Sequence, residues 1–107
     1  MLIEFTVSNF RSISEAVTFS AVAGSSAAKQ TGRTFSTENS LAPEVLTCAV
    51  VFGPNASGKS SLFNAVDFFG SFVCGSASKQ SQGDQIRFPR NKIASECKDA
   101  PSTFELV

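Results

Sequence analysis

Between residues 45 and 60 the chain runs Val45-Leu46-Thr47-Cys48-Ala49-Val50-Val51-Phe52-Gly53-Pro54-Asn55-Ala56-Ser57-Gly58-Lys59-Ser60. Its first half is almost unbroken apolar and suits a strand buried on both faces. Its second half fits the pattern G-x-x-x-x-G-K-[ST] residue for residue. Beyond it Leu62, Ala65, Val66, Phe69 and Val73 recur at helical spacing. A helix is therefore expected from Lys59 to about Gly70–Cys74, with Gly70 and Gly75 as terminators. Apolar strand, glycine loop and helix, in that order, are the context in which this pattern binds nucleotide phosphates.

The residue types follow from that chemistry. Successive main-chain N–H groups of such a loop form an anion-binding nest, and the helix start adds unpaired N–H groups and the positive end of its dipole. Glycine at Gly53 and Gly58 admits backbone angles and close approaches that a side chain forbids. Lys59 is expected to reach the β- and γ-phosphates, and the Ser60 hydroxyl to sit on Mg²⁺. Pro54, Asn55, Ala56 and Ser57 contribute mainly backbone. Ser61 completes the candidate binding set, although a helix-surface or packing role suits it better.

Upstream, Ile3, Phe5 and Val7 alternate with Glu4, Thr6 and Ser8, and Val17, Phe19 and Ala21 alternate with Thr18 and Ser20. Two such segments joined by the short break Asn9-Phe10-Arg11-Ser12 predict an antiparallel pair. Residues 24–43, rich in Ser, Ala, Thr and Gly, and residues 75–85, rich in Ser and Gln, read as flexible loops. Ile86 to Phe88 reads as a very short strand. Thr103-Phe104-Glu105-Leu106-Val107 opens a strand, so residues 1–107 are expected to be the N-terminal portion of a longer α/β domain.

Bulk properties narrow the field. The 107 residues carry nine basic and nine acidic side chains, a zero balance that does not resemble a nucleic-acid-binding arm. Arg87, Arg90 and Lys92 are interrupted by Phe88 and Pro89 and read as a solvated loop. Three cysteines and no histidine exclude a Cys/His zinc site and argue against a disulfide framework. Cys48 is expected to be a small buried hydrophobe. No apolar run approaches membrane length, and a reducing cytoplasm fits the cysteine usage. All eleven aromatic residues are phenylalanine, which implies packing without polar ring tips to satisfy.

The order of elements separates families that share the phosphate loop. In small GTPases and nucleotide kinases the loop commonly follows the first strand, whereas here two strands and a long loop come first. Asn91-Lys92-Ile93-Ala94 lacks the aspartate of a guanine-reading Asn-Lys-x-Asp, and Asp67-Phe68-Phe69-Gly70 falls inside the helix, where it packs. A small-molecule kinase would need an acceptor pocket and lid arginines, for which Arg87 and Arg90 are the local candidates.

Leu2-Ile3-Glu4-Phe5-Thr6-Val7-Ser8-Asn9-Phe10-Arg11-Ser12 together with Gly53–Ser60 resembles the start of an ABC-type ATPase head. The similar branch contains SMC, RecF and the OLD proteins, and in texture the chain is most similar to bacterial AAA-family ATP-binding proteins of phage-defence, abortive-infection modules. Ala56 stands where SMC-type heads more commonly carry glycine. The resemblance implies ATP with Mg²⁺ as ligands and an antiparallel β pair preceding the buried strand, P-loop and helix. It implies two heads sandwiching ATP as a homo-oligomer, and an effector nuclease or other defence subunit as partner. Any DNA contact would lie outside this segment, and no membrane role is implied. It also brings the Asn-Phe-Arg-Ser turn near the nucleotide. Arg11 then either contacts phosphate or couples nucleotide to DNA, or is a solvated turn residue beside a core-plugging Phe10.

Hydrolysis needs a carboxylate on Mg²⁺ and a group that orients water. No apolar strand ending in Asp-Glu and no signature motif of the ABC type occurs within these residues. This segment is therefore expected to bind ATP weakly and not to turn it over alone, with Lys59 its one catalytic candidate. A non-hydrolysing sensor or structural clamp is the alternative to an ATPase that drives or gates a DNA-related or antiphage activity.

Overall fold

The computed structural model describes residues 1–24, 32–79, 81 and 83–107, the side chains of 77–79 excepted. Strand β1 (Glu4–Ser8) lies at the centre of a three-stranded antiparallel sheet, between β2 (Val17–Ser20) and β5 (Thr103–Leu106). The pairing sets Phe5 opposite Phe19 on one side and Leu106 on the other, with Val7 opposite Val17 and Phe104. The expected antiparallel pair and the strand at Thr103 are both present. Alternation in β1 sends Phe5 and Val7 fully inward, while Glu4, Thr6 and Ser8 stay half-buried on the other face.

Helix α1 (Lys59–Lys79) covers that inner face. Its buried stripe meets Phe5, Val7, Phe10 and Ile13 through Leu62, Ala65, Phe68 and Phe69. The rings interlock: Phe10 meets Phe104 edge-on at 5.5 Å, and Phe69 stacks on Phe104 at 5.9 Å. Such pairs contribute about 0.5–1.5 kcal/mol each beyond their buried area. A core of phenylalanine leaves no ring hydroxyl or indole N–H to satisfy, as the composition implied.

Several expectations are corrected. The apolar run from Val45 is not one long buried strand. Only β4 (Glu44–Leu46) is regular, paired antiparallel with β3 (Thr34–Ser36). Beyond it Val50 is 81% and Phe52 89% exposed, and Cys48 is exposed rather than buried. Burial on both faces requires neighbouring strands and covering helices, and none flanks 48–52 among the described residues. The β3–β4 pair also places a strand inside 24–43, of which 25–31 lie outside the described residues. It joins the main sheet through a Val22–Val45 bridge and the Leu46 N–H to Ala21 carbonyl bond of 2.7 Å.

Helix α1 passes through both Gly70 and Gly75 and continues to Lys79, into the 75–85 region read as a loop. A glycine ends a helix by taking left-handed φ, and neither of these does so. Val73 is 57% exposed; Phe68 and Phe72, stacked at 6.2 Å, occupy the inner face instead. Ile86 to Phe88 is irregular rather than a strand. With Phe68, Phe72 and Phe104 it lines an apolar cavity of about 440 Å³. Among the described residues no helix is long and apolar enough to cross a membrane.

Candidate functional site: the 53–61 loop and the 9–13 turn

The loop from Gly53 to Ser60 leaves the irregular 47–52 segment and closes onto the start of α1. Two of its residues adopt left-handed backbone, Ala56 at φ 64° and Gly58 at φ 92°. Gly58 thus uses the freedom expected of it. Gly53 serves differently: its φ is ordinary, but a Cβ there would stand 3.1 Å from Ser57 Oγ. Ala56 takes the same handed turn without glycine's freedom, at a cost of about 1–2 kcal/mol.

The first main-chain bond of the helix runs from Leu62 N–H to the Gly58 carbonyl at 3.0 Å. The N–H groups of Gly58, Lys59, Ser60 and Ser61 have no acceptor among the described residues. Four consecutive free donors at the positive end of a 21-residue helix suit an anion. The Lys59 ammonium bends back over the loop, donating to the Gly53 carbonyl at 2.8 Å, the Pro54 carbonyl at 2.6 Å and Ser57 Oγ at 3.3 Å. One cation is thereby held across the loop that carries the free donors. These residues fit a polyphosphate. Ser60 is exposed, and its hydroxyl makes no hydrogen bond among the described residues. A cavity of about 330 Å³ runs beside the loop from Lys59 and Gly53 to Ile13 and Val17. A second, of about 210 Å³, is bounded by Ala56, Ser12, Ser14 and Glu15.

The Asn-Phe-Arg-Ser turn does lie against the loop, but not through Arg11. Phe10 and Ile13 exchange main-chain bonds of 2.9 and 2.8 Å, leaving Arg11 and Ser12 at a two-residue tip. The Arg11 side chain is exposed and makes no hydrogen bond or ion pair among the described residues. Ser12 makes the contact, its Oγ 2.6 Å from Ser61 Oγ. Ser61 is buried, so this hydroxyl bond occupies the side chain that had been grouped with the phosphate ligands.

Two asparagines had other readings in the sequence, Asn9 as part of a break and Asn91 as the start of an incomplete Asn-Lys-x-Asp. Asn9 is buried at φ 51°; its Nδ2 donates to the Cys97 carbonyl at 3.0 Å and the Ala100 carbonyl at 2.8 Å, and its Oδ1 accepts from Asn91 N–H at 3.1 Å. Asn91 Oδ1 in turn accepts from the N–H groups of Ile93 and Ala94, both at 2.9 Å. Asparagine's tolerance of left-handed backbone was the available signal at Asn9. No local pattern announces its distant partners.

A protein-family profile described as "AAA domain, putative AbiEii toxin, Type IV TA system" matches residues 48–107. The match begins just ahead of the loop and spans more than half of the chain, leaving β1 and the 9–13 turn outside it. No curated protein and no solved structure matches the chain.

Proposed function

The chain belongs to this AAA domain family, of nucleotide-binding, ATPase type, and from that premise we propose that Gly53–Ser60 is a Walker A loop that binds ATP with Mg²⁺. The reading rests above all on one juxtaposition: four free helix-start N–H groups beneath an ammonium held by the loop's own carbonyls. In this assignment the N–H groups of Gly58–Ser61 and the Lys59 ammonium hold phosphate oxygens. The Ser60 hydroxyl holds the metal. Bound Mg²⁺ would supply charge neutralisation at the phosphates. Arg11, exposed at the tip beside the loop, takes either of two roles on this reading: phosphate contact or coupling of nucleotide to DNA, or a solvated turn residue beside Phe10.

On this reading the site works as part of an ABC-type ATPase head of the SMC, RecF and OLD class, in the cytoplasm. Two heads sandwich ATP, and its hydrolysis drives or gates a DNA-related or antiphage activity carried out with an effector subunit. The resemblance of Leu2–Ser12 and Gly53–Ser60 to such heads supports this wider reading. Calorimetric titration of Mg·ATP tests its base. Lys59→Ala should weaken binding between about ten- and a hundredfold, the worth of a hydrogen-bonded charge. Equal affinity in the variant and the parent would remove the assignment.

A further inference from the structure

The 9–13 turn is an unusual piece of backbone. Within five residues it holds two non-glycine residues in left-handed conformation, Asn9 at φ 51° and Arg11 at φ 50°. Such conformations persist only where surrounding contacts over-determine them. Here they are held from two sides. On one side lies the start of α1: Ser12 Oγ is 2.6 Å from Ser61 Oγ, and a Cβ on Gly58 would sit 3.7 Å from the same Ser12 oxygen. On the other lies the segment from Pro89 to Ala100, gripped by Asn9 at Cys97, Ala100 and Asn91, and by Arg11 N–H at the Pro89 carbonyl, 2.7 Å away.

We propose that Ser12 is a positioning residue for the nucleotide site, acting through Ser61, and that the turn thereby couples nucleotide binding to the Pro89–Ala100 segment. This rests on the Walker A assignment. Ser61 is one residue past the metal-ligand candidate Ser60 and carries one of the four free N–H groups. Its hydroxyl bond to Ser12 therefore sets the direction of the helix's first turn relative to the loop. The Phe10–Ile13 bridge makes the tip stiff, because Phe10 is 1% exposed and locked among aromatic rings. Displacement at Ser61 is thus passed to Asn9 and its partners rather than absorbed at the tip.

Calorimetry with Mg·ATP on the full chain, joined to amide hydrogen exchange over residues 89–100, tests the inference. Ser12→Ala and Ser61→Ala should each weaken binding about five- to twentyfold, the worth of one hydrogen bond with its orphaned partner. The double variant should be no weaker than either single one, because both remove the same bond. Ser12→Thr, which keeps the hydroxyl, should bind within about twofold of the parent. Mg·ATP should slow exchange across 89–100 in the parent and in Ser12→Thr but not in Ser12→Ala. A Ser12→Ala protein that binds like the parent overturns the proposal, as do losses that multiply in the double variant, or a Ser12→Thr protein as weak as Ser12→Ala. Failure of the parent itself to bind Mg·ATP would instead defeat the Walker A assignment beneath it.

Discussion

Ala56 shows how much a single position in the loop can carry. Its φ of 64° belongs to the region where a Cβ crowds the following carbonyl. Glycine there would relieve that crowding while adding freedom to the unfolded chain, a smaller opposing effect of about 0.5–1 kcal/mol. Ala56→Gly should therefore leave Mg·ATP binding intact and raise the thermal midpoint by a few degrees, a net gain of roughly 0.5–1 kcal/mol. A lowered midpoint would mean that the methyl group is needed for packing. The loop's backbone was legible at this scale, since Gly58 takes the left-handed turn expected of it. The use of Ser61 was not, because its partner Ser12 is 49 residues away in sequence.

At the level of elements, α1 is the clearest case of local and tertiary signals diverging. Its existence and starting point were evident from the loop and from apolar spacing. Its length was not, because the two glycines that marked an end stay helical. Gly70 is exposed, and nothing lies within 4 Å of where its Cβ would be. Gly70→Ala should then stabilise the fold by about 0.5–1 kcal/mol, the helix-interior difference between the two residues, read as a higher midpoint in urea or heat. The exposure of Val73 and the partial burial of Phe72 were hidden for a related reason. Periodicity finds a stripe but not its edges; those are drawn by Phe104 and by Phe88, which arrive from the far end of the chain.

The molecule as a whole is open for its size. Its radius of gyration is 16.3 Å, against about 13 Å for a compact domain of 100 residues. Leu41, Val50, Phe52 and Ile93 are all more than 80% exposed. Large apolar side chains this exposed invite self-association. Replacing Val50 and Phe52 together by lysine should lower light scattering on concentration, with the thermal midpoint unchanged, because neither side chain contributes to the core. An unfolded double variant would show instead that these residues are buried in solution.

Sequence alone determined the glycine loop, the start of the helix that follows it and the alternating strands around Phe5 and Phe19, since each is written in neighbouring residues whose spacing reports one backbone geometry. Only the tertiary structure decided that Val50 and Phe52 face solvent, that Ser12 rather than Arg11 touches the loop's helix, and that Asn9 ties together segments some ninety residues apart. Those outcomes depend on which surfaces meet in space, and hydrophobic or polar character at one position carries no record of its partner's address.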